Sequence, residues 1–237
     1  MSTVDKVRVL IVGDSETGKT SMSHLIAHGS PCERPMSTIG CSTQVKLHDY
    51  RAGLPGEKAY FIELWDIGGS RGHEVARSLF YGTVDGIILV HDLTNRKSQT
   101  NLHSWLREVS NHRDGGKLRQ VLTEYDKDSI ASTVIPTIVI GTKLDLLTGG
   151  EPSRSFIADD CNAEEINLDC TSNKYLTAGS SNAVKLSKFF DKVIQKTVTG
   201  GVSSPTTYPR ELYSSGQERK RTYSPSRAYG SPSSYVD

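Results

Sequence analysis

The 237-residue sequence has little cysteine and almost no net charge. Its four cysteines are Cys32, Cys41, Cys161 and Cys170, and they form neither a Cys-x-x-Cys pair nor a His-rich metal-binding spacing. This pattern predicts reduced thiols rather than a disulfide framework or a zinc site. The formal net charge of +1 gives no bulk electrostatic reason to expect a strongly acidic or basic partner such as nucleic acid.

Long apolar segments and recognisable targeting signals are also lacking. Residues 1–6 have no apolar core, and runs such as residues 87–90 are far too short to span a bilayer. Residue 2 is serine rather than glycine, and no cysteine lies near the final residue, Asp237, so no lipidation signal is visible. We therefore expect a cytoplasmic protein with no direct membrane anchor.

Composition divides the chain into a domain and a tail. Residues 1–198 contain enough apolar sequence for one folded domain, with a polar, irregular insertion around residues 111–132. Residues 199–237 are rich in Ser, Pro, Tyr and Arg and have almost no aliphatic side chains. Such a segment buries too little apolar surface to offset its ordering entropy, which predicts a disordered tail.

The most informative stretch is Gly-Asp-Ser-Glu-Thr-Gly-Lys-Thr at residues 13–20, which fits the phosphate-binding P-loop pattern. A β-branched run at residues 7–12 precedes it, and residues 19–27 can wind as a helix, as the motif requires. Backbone amides of the loop and the positive end of the helix would face phosphate oxygens. Lys19 would reach the β- and γ-phosphates, and the Thr20 hydroxyl would bind Mg²⁺. An ordinary glycine-rich turn into a helix is the alternative.

From this motif we predict a run of phosphate-binding residues. They are Gly13, Asp14, Ser15, Glu16, Thr17, Gly18, Lys19, Thr20 and Ser21.

The rest of the domain alternates between predicted strands and helices. Strands at residues 43–50 and 58–65 are predicted to form an antiparallel hairpin, and apolar runs at 86–90 and 135–140 predict buried parallel strands. Residues 166–169 are predicted to form a short last strand. Helices are predicted at 98–109 and 183–196, with a loop and short helix at 67–81 and a loop at 148–159. This order predicts an α/β fold of the P-loop NTPase type. Its mostly parallel, doubly wound sheet would have about six strands, helices on both faces and ligands at the carboxyl ends of the strands.

A second motif, Asp66-Ile67-Gly68-Gly69, follows the 58–65 strand. A carboxylate at this position can hold Mg²⁺ through water, and the Gly69 amide can meet the γ-phosphate. An acidic turn after a strand is the alternative. The position, one hairpin downstream of the P-loop, favours the nucleotide site.

A third motif, Gly141-Thr142-Lys143-Leu144-Asp145, follows the 135–140 strand and predicts the base. The Asp145 carboxylate can accept from both N1–H and the exocyclic amine of guanine, whereas adenine has neither donor there. The stem of Lys143 can lie against the base. After the last strand, Cys170 and Thr171 could close its other side. A P-loop kinase or ATPase is excluded by this motif.

Together these residues resemble the small GTPase superfamily, and the Rab branch in particular. Thr38-Ile39-Gly40 is similar to the Rab effector-loop motif, so the resemblance implies that Thr38 supplies the switch threonine for Mg²⁺. Trp65-Asp66-Ile67-Gly68-Gly69 and residues 86–94 are likewise Rab-like. The resemblance covers about residues 6–196. It implies GTP or GDP with Mg²⁺ as ligands, and protein effectors bound through loops 30–40 and 67–82.

A closer resemblance is to an atypical Rab-like type that lacks a prenylated tail. It is carried by Gly40-Cys41, residues 62–70, Val90-His91-Asp92-Leu93-Thr94-Asn95 and residues 164–171. This resemblance implies a homodimer and a role in the handling of other small GTPases, including their prenylation, or in trafficking.

Three features depart from the family pattern. Ser70 stands where most members carry the glutamine that orients the attacking water, and a serine hydroxyl is too short for that role. We therefore name no catalytic residue and expect hydrolysis at or below about 10⁻⁴ s⁻¹, the scale of an unassisted family member. Glu16 replaces a small loop residue, and no aromatic side chain lies between Gly29 and Thr38 to pack on guanine. These two features predict readily exchanging nucleotide.

Two functions fit these residues. In the first, the protein is a guanine-nucleotide switch in which Thr38 and Gly69 respond to the γ-phosphate. In the second, it is a scaffold or dimeric adaptor that keeps the nucleotide as a structural ligand and has negligible GTPase activity. Nucleotide binding is common to both.

Overall fold

The computed structural model describes residues 5–70, 72, 74–113, 135–148, 150, 152 and 154–199. Six strands form one sheet in the order β2-β3-β1-β4-β5-β6. Their bounds are Asp5–Val12 (β1), Cys41–Tyr50 (β2), Lys58–Ile67 (β3), Gly86–Asp92 (β4), Thr137–Thr142 (β5) and Glu164–Asn167 (β6). Only β2 runs antiparallel to its neighbour. The predicted mostly parallel α/β sheet of about six strands is confirmed.

Helices lie between the strands and after the last of them. They are Lys19–His28 (α1), Glu74–Arg77 (α2), Arg96–Thr100 (α3), Leu102–Arg113 (α4), Phe156–Asp160 (α5) and Ser181–Thr199 (α6). In the described part of the chain, short 3₁₀ helices also occupy Ser78–Phe80, Leu144–Leu146 and Asn173–Leu176. None of the helices in the described ranges is long and apolar enough to cross a membrane.

The core has two layers, one on each face of the sheet. Val9 and Ile11 of β1 pack with α1 and α6, whereas Leu10 and Val12 pack with α4 and α5 on the opposite face. This division follows from the two-residue alternation of side chains along a strand. The central strand β4 is buried on both faces over its whole length, because helices cover both sides of a parallel sheet.

Several predicted boundaries were wrong. Residues within the predicted 148–159 loop form the start of α5, and the last strand is Glu164–Asn167 rather than 166–169. The predicted helix 98–109 is two helices that meet at Asn101, and the second of them, α4, continues to Arg113. Residues 114–132 of the predicted insertion and residues 200–237 of the predicted tail lie outside the described residues, whereas Thr199 ends α6.

Candidate functional site

The loop between β1 and α1 requires glycine at its first position. Gly13 has a φ of +153°, and a Cβ added there would lie 2.1 Å from the carbonyl oxygen of Val90. Gly18, which precedes α1, has a left-handed φ of +81°. These conformations turn the loop sharply from the carboxyl end of β1 into the first turn of α1, and they explain the glycines of the motif.

Lys19 lies at the start of α1 with its side chain buried. Its Nζ donates to the carbonyl oxygen of Asp14 at 2.6 Å. Burial lowers the pKa of Lys19 to about 8, although the carboxylates of Asp66 and Asp14 act in the opposite direction. A buried ammonium with few partners is stabilised by an anion, so this group is suited to bind phosphate oxygens.

Three side-chain oxygens from distant parts of the chain meet next to Lys19. Thr20 Oγ1 and Thr38 Oγ1 donate to the same carboxylate oxygen, Asp66 Oδ2, at 2.6 and 2.9 Å, and the two hydroxyls lie 2.9 Å apart. Asp66 is fully buried. Burial raises the pKa of Asp66, and the two hydroxyls oppose that rise. Its other oxygen, Oδ1, has no hydrogen-bond partner within the described residues.

The segment after β3 touches the P-loop backbone. A Cβ added to Gly69 would lie 2.5 Å from the backbone nitrogen of Ser15 and 2.6 Å from the carbonyl oxygen of Gly13. Gly69 can approach this closely only because it has no side chain. This contact brings the second motif directly against the first.

A cavity of about 520 Å³ opens beside these groups. Its lining combines the P-loop and the start of α1, the loop before β2, the segment after β3 and one residue after β5. The predicted site residues in this lining are Ser15, Glu16, Gly18, Lys19, Thr20, Ser21, Thr38, Gly69 and Lys143, and Ser70 joins them.

The loop after β5 is fastened to the P-loop by a buried hydroxyl. Thr142 Oγ1 lies 2.6 Å from the carbonyl oxygen of Thr17 and 3.0 Å from that of His91. The neighbouring Lys143 pairs with Asp92 at 2.8 Å. Burial alone would raise the pKa of Asp92, but Lys143 and the amide and hydroxyl of Thr94 hold the pKa below its usual value.

Asp145 and the segment after β6 come together on the same edge of the sheet. The Leu144 amide donates to the Leu168 carbonyl at 3.3 Å, which joins the two loops. Burial, followed by the charges of Asp169 and Asp145, raises the pKa of Cys170 to about 12. Cys170 also packs against the core, and the amide and hydroxyl of Thr171 both donate to Asp169.

The structure therefore separates the predicted site residues into two groups. Those in the lining of the cavity face the space in which phosphates would sit. The others are Gly13, Asp14, Thr17, Asp66, Thr142, Asp145, Cys170 and Thr171, which do not line it. Asp14, Thr17, Asp66 and Thr142 position the lining through hydrogen bonds, whereas Asp145 is exposed at the carboxyl end of β5.

Sequence reasoning missed three residues that hold this site. Asp92 fixes Lys143, and the Asp14 carboxylate accepts from Asn101 Nδ2 at 2.7 Å and from Trp105 Nε1 at 2.8 Å. Asp92 ends a buried parallel strand, so the rule that identified Asp66 could also have found it. Nothing local marks Asn101 or Trp105, since their partner lies more than 80 residues away in the sequence.

The four cysteines are unpaired. Burial raises the pKa of Cys41 and of Cys161 to about 11. Thiols with such high pKa values are poor nucleophiles at neutral pH. Within the described ranges, no group of three or more His, Cys, Asp or Glu side chains is arranged to hold a metal ion.

The strand order, the P-loop between β1 and α1, and the motifs at the carboxyl ends of β3 and β5 define a P-loop protein with the small GTPase fold. The family model for the "Ras of Complex, Roc, domain of DAPkinase" matches residues 8–126. This match covers the phosphate-binding loop and the first four strands.

Curated relatives refine this class. The chain is 51% identical to "Rab-like protein 3" of Xenopus tropicalis over 207 residues, covering 83% of this chain and 88% of the relative. It is 49% identical to "Rab-like protein 3" of Homo sapiens, with 83% and 87% covered. It is also 40% identical to "Small GTPase LIP1" of Arabidopsis thaliana, with 60% and 42% covered. The chain belongs to the small GTPase superfamily, in the Rab-like branch that includes the Rab-like protein 3 sequences.

Proposed function

We propose that this protein binds GDP or GTP with Mg²⁺ in the cavity beside Lys19 and acts as a guanine-nucleotide switch with very slow intrinsic hydrolysis. The observation that carries the proposal is the meeting of Thr20, Thr38 and Asp66 next to the buried Lys19 ammonium. A buried cation beside three hard oxygen ligands suits a metal-bound polyphosphate.

The residues at this point fit Mg²⁺. The ion prefers oxygen ligands and usually binds proteins through one or two side chains together with phosphates and water. Thr20 and Thr38 would hold it directly, and Asp66 would hold it through water. The unpartnered Asp66 Oδ1 supplies a buried acceptor for that water. Once bound, the ion would neutralise charge on the β- and γ-phosphates.

Guanine selectivity would come from the loop after β5. Asp145 is exposed and therefore open to a base, and Lys143 lines the cavity with its ammonium held by Asp92. The Leu144 amide and the Leu168 carbonyl join this loop to the segment that contains Cys170, so Cys170 would lie near the same base. A site built around such polar groups rejects a base that leaves them unpaired.

Slow hydrolysis follows from Ser70. Its exposed side chain lines the cavity at the position where most family members carry glutamine, and its short hydroxyl does not replace an amide that orients water. Single-turnover hydrolysis without a partner should therefore stay at or below about 10⁻⁴ s⁻¹. Fast hydrolysis by the isolated protein would refute this part of the proposal.

The second candidate is a nucleotide-stabilised scaffold or homodimeric adaptor with negligible GTPase activity. It is favoured by Ser70 and by Glu16, a charged residue in the loop with a left-handed φ of +65°. In either case we propose a cytoplasmic protein that binds effectors through loops 30–40 and 67–82. By resemblance, its partners would include other small GTPases or their chaperones, and its pathway would involve their prenylation or trafficking.

Base recognition provides the direct test of nucleotide binding. Calorimetry should detect GDP binding by the wild type, and Asp145→Asn should shift preference from guanine toward xanthine nucleotide, because the amide reverses one hydrogen bond. Asp159→Asn is a matched control, since Asp159 is a largely exposed carboxylate that pairs with Arg154 away from the cavity. Unchanged guanine selectivity in the Asp145 variant would contradict the base assignment. Absence of heat from both GDP and GTP with folded protein would contradict the whole proposal.

A further comparison separates the switch from the scaffold. The protein is loaded with GDP or with a non-hydrolysable GTP analogue, and capture of partner proteins is measured for each form. A switch captures a partner preferentially in one form. Equal capture by both forms would favour the scaffold.

A further inference from the structure

One buried arginine, Arg77, holds the segment that follows β3 against α4 through hydrogen bonds. Arg77, the last residue of α2, donates from Nη1 to the carbonyl oxygen of Ser70. Ser70 directly follows Gly69, the residue whose backbone touches the P-loop. The guanidinium therefore joins α2 to the backbone of Ser70, the position where the family usually carries glutamine.

The same guanidinium is fixed to α4. Arg77 Nε and Nη2 donate to the two carboxylate oxygens of Glu108, both at 3.1 Å, and Tyr81 donates to Glu108 Oε1 at 2.8 Å. Only 4% of the Arg77 side chain and 15% of the Glu108 side chain are exposed. A bidentate, charge-assisted pair with so little exposure is more specific in geometry and less screened than a surface ion pair.

The contact continues from Arg77 to the P-loop. The guanidinium carbon lies 4.5 Å from the centre of the Trp105 ring, which is the distance of a cation–π contact. Trp105 in turn donates from Nε1 to Asp14 Oδ1 at 2.8 Å. The chain of contacts thus runs from the Ser70 carbonyl through Arg77 and Trp105 to Asp14, and none of its steps requires a nucleotide atom.

We propose that Arg77 is a positioning residue that keeps Gly69, Ser70 and α2 docked on α4 and beside the P-loop whichever guanine nucleotide is bound. This inference rests on the proposed function, since it concerns a protein that binds GDP and GTP. In switch proteins the γ-phosphate orders this segment, and hydrolysis releases it. Here protein side chains supply the ordering contacts, so the γ-phosphate has little effect on the order of this segment.

Docking of this segment in both forms determines which surface of the protein changes between GDP and GTP. A ligand shifts a conformational equilibrium only as far as its affinities for the two states differ. If Gly69, Ser70 and α2 are already docked, the difference between GDP and GTP acts mainly through Thr38 and its loop. A partner that distinguishes the two forms would then recognise the loop before β2 and would use the segment after β3 as a constant surface.

The test uses hydrogen exchange of the peptide at residues 66–81 in the full chain, loaded with GDP or with a non-hydrolysable GTP analogue. In the wild type, exchange should be the same in both forms. In Arg77→Met, exchange in the GDP form should rise by about tenfold or more, because the charged hydrogen bonds and the ring contact are lost. The GTP analogue should restore part of the protection. Arg77→Lys should not rescue it, since an ammonium cannot pair bidentately and stack.

A spectroscopic readout separates positioning from simple stabilisation. The chain has two tryptophans, Trp65 and Trp105, so Trp65→Phe leaves Trp105 as the single reporter beneath Arg77. Trp105 emission should be equal for the two nucleotides when Arg77 is present and should differ in Arg77→Met. A residue with only a structural role would lower the melting temperature without creating this nucleotide dependence.

Arg8→Met is the matched control, because Arg8 stacks on the other tryptophan, with its guanidinium carbon 3.8 Å from the Trp65 ring centre. It should leave exchange at residues 68–77 unchanged. Glu108→Gln is a second variant that keeps the size of the side chain, and it should raise exchange in the same direction if Arg77→Met does not fold.

The proposal would be overturned if hydrogen exchange in the wild type differed between the GDP and GTP-analogue forms by as much as it does in Arg77→Met. So would unchanged exchange in the folded GDP-bound variant. If neither nucleotide binds, the proposed function fails, whereas the effect of Arg77→Met on the nucleotide-free protein still tests the docking itself.

Discussion

The Thr142 hydroxyl joins the loop that we assign to phosphate binding to the loop that we assign to the base. Thr142 is fully buried, and the residues on either side of its hydroxyl, Thr17 and His91, are almost fully buried. The shorter contact, at 2.6 Å, is to the Thr17 carbonyl in the P-loop, and the 3.0 Å contact is to β4. One hydroxyl thus connects residues 125 positions apart in the sequence.

Thr142→Val removes this donor and keeps the shape of the side chain. The hydroxyl has one proton, so its loss leaves a carbonyl oxygen without this donor at a buried position, and leaving a buried acceptor unsatisfied costs about 1–3 kcal/mol. In a domain of this size each kcal/mol lowers the melting temperature by about 2–4 °C, so we expect a decrease of roughly 2–12 °C. Because the two loops are no longer joined, the dissociation constant for GDP should also rise, by about tenfold for 1.4 kcal/mol of lost coupling.

Thermal unfolding followed by circular dichroism, with and without GDP, measures the first effect, and release of fluorescent GDP measures the second. Thr142→Ser is the matched control, since it keeps the hydroxyl and removes only a methyl group. It should stay closer to the wild type than the valine variant in GDP affinity. A valine variant with wild-type melting temperature and wild-type GDP release would show that the hydroxyl does not couple the loops.

Two further predictions concern charged residues. Glu16→Gly should raise the melting temperature slightly. The left-handed backbone costs a non-glycine residue about 1–2 kcal/mol, and glycine removes this cost while adding a smaller cost in chain entropy. It should also slow GDP release by removing a carboxylate near the phosphates, and equal or faster release would contradict the repulsion argument. Glu165 faces His91 at 3.5 Å and accepts from the amide and hydroxyl of Ser155. Burial alone would raise the pKa of Glu165, but these contacts hold it below its usual value. The carboxylate therefore stabilises the fold above the unfolded pKa of about 4.3 and loses that effect as pH falls through the lowered native pKa. Glu165→Gln should melt about 2–4 °C lower at pH 7, with the difference shrinking below about pH 4, and a constant difference across this range would refute the charge argument.

Much of the fold could be predicted from local sequence patterns. The run at residues 86–90 is apolar throughout, and this identified a strand buried on both faces. The glycines of the P-loop could be recognised because their conformations exclude most other residues. Boundaries were less predictable: α5 is only five residues long, and its amphipathic pattern is too short to distinguish from a loop.

The sequence by itself determined the strand–loop–helix order, the order of the motifs and the chemical character of Lys19, Thr20, Asp66 and Asp145, since these depend on residue type and short-range spacing. Only the tertiary structure decided that Asp92 fixes Lys143 and that Thr142 joins two loops. It also decided that Arg77 connects Ser70 to α4 and, through Trp105, to Asp14. These contacts join residues from different elements whose partners are set by the order of strands and by the crossing helices. No local periodicity or spacing in the chain encodes such a pairing.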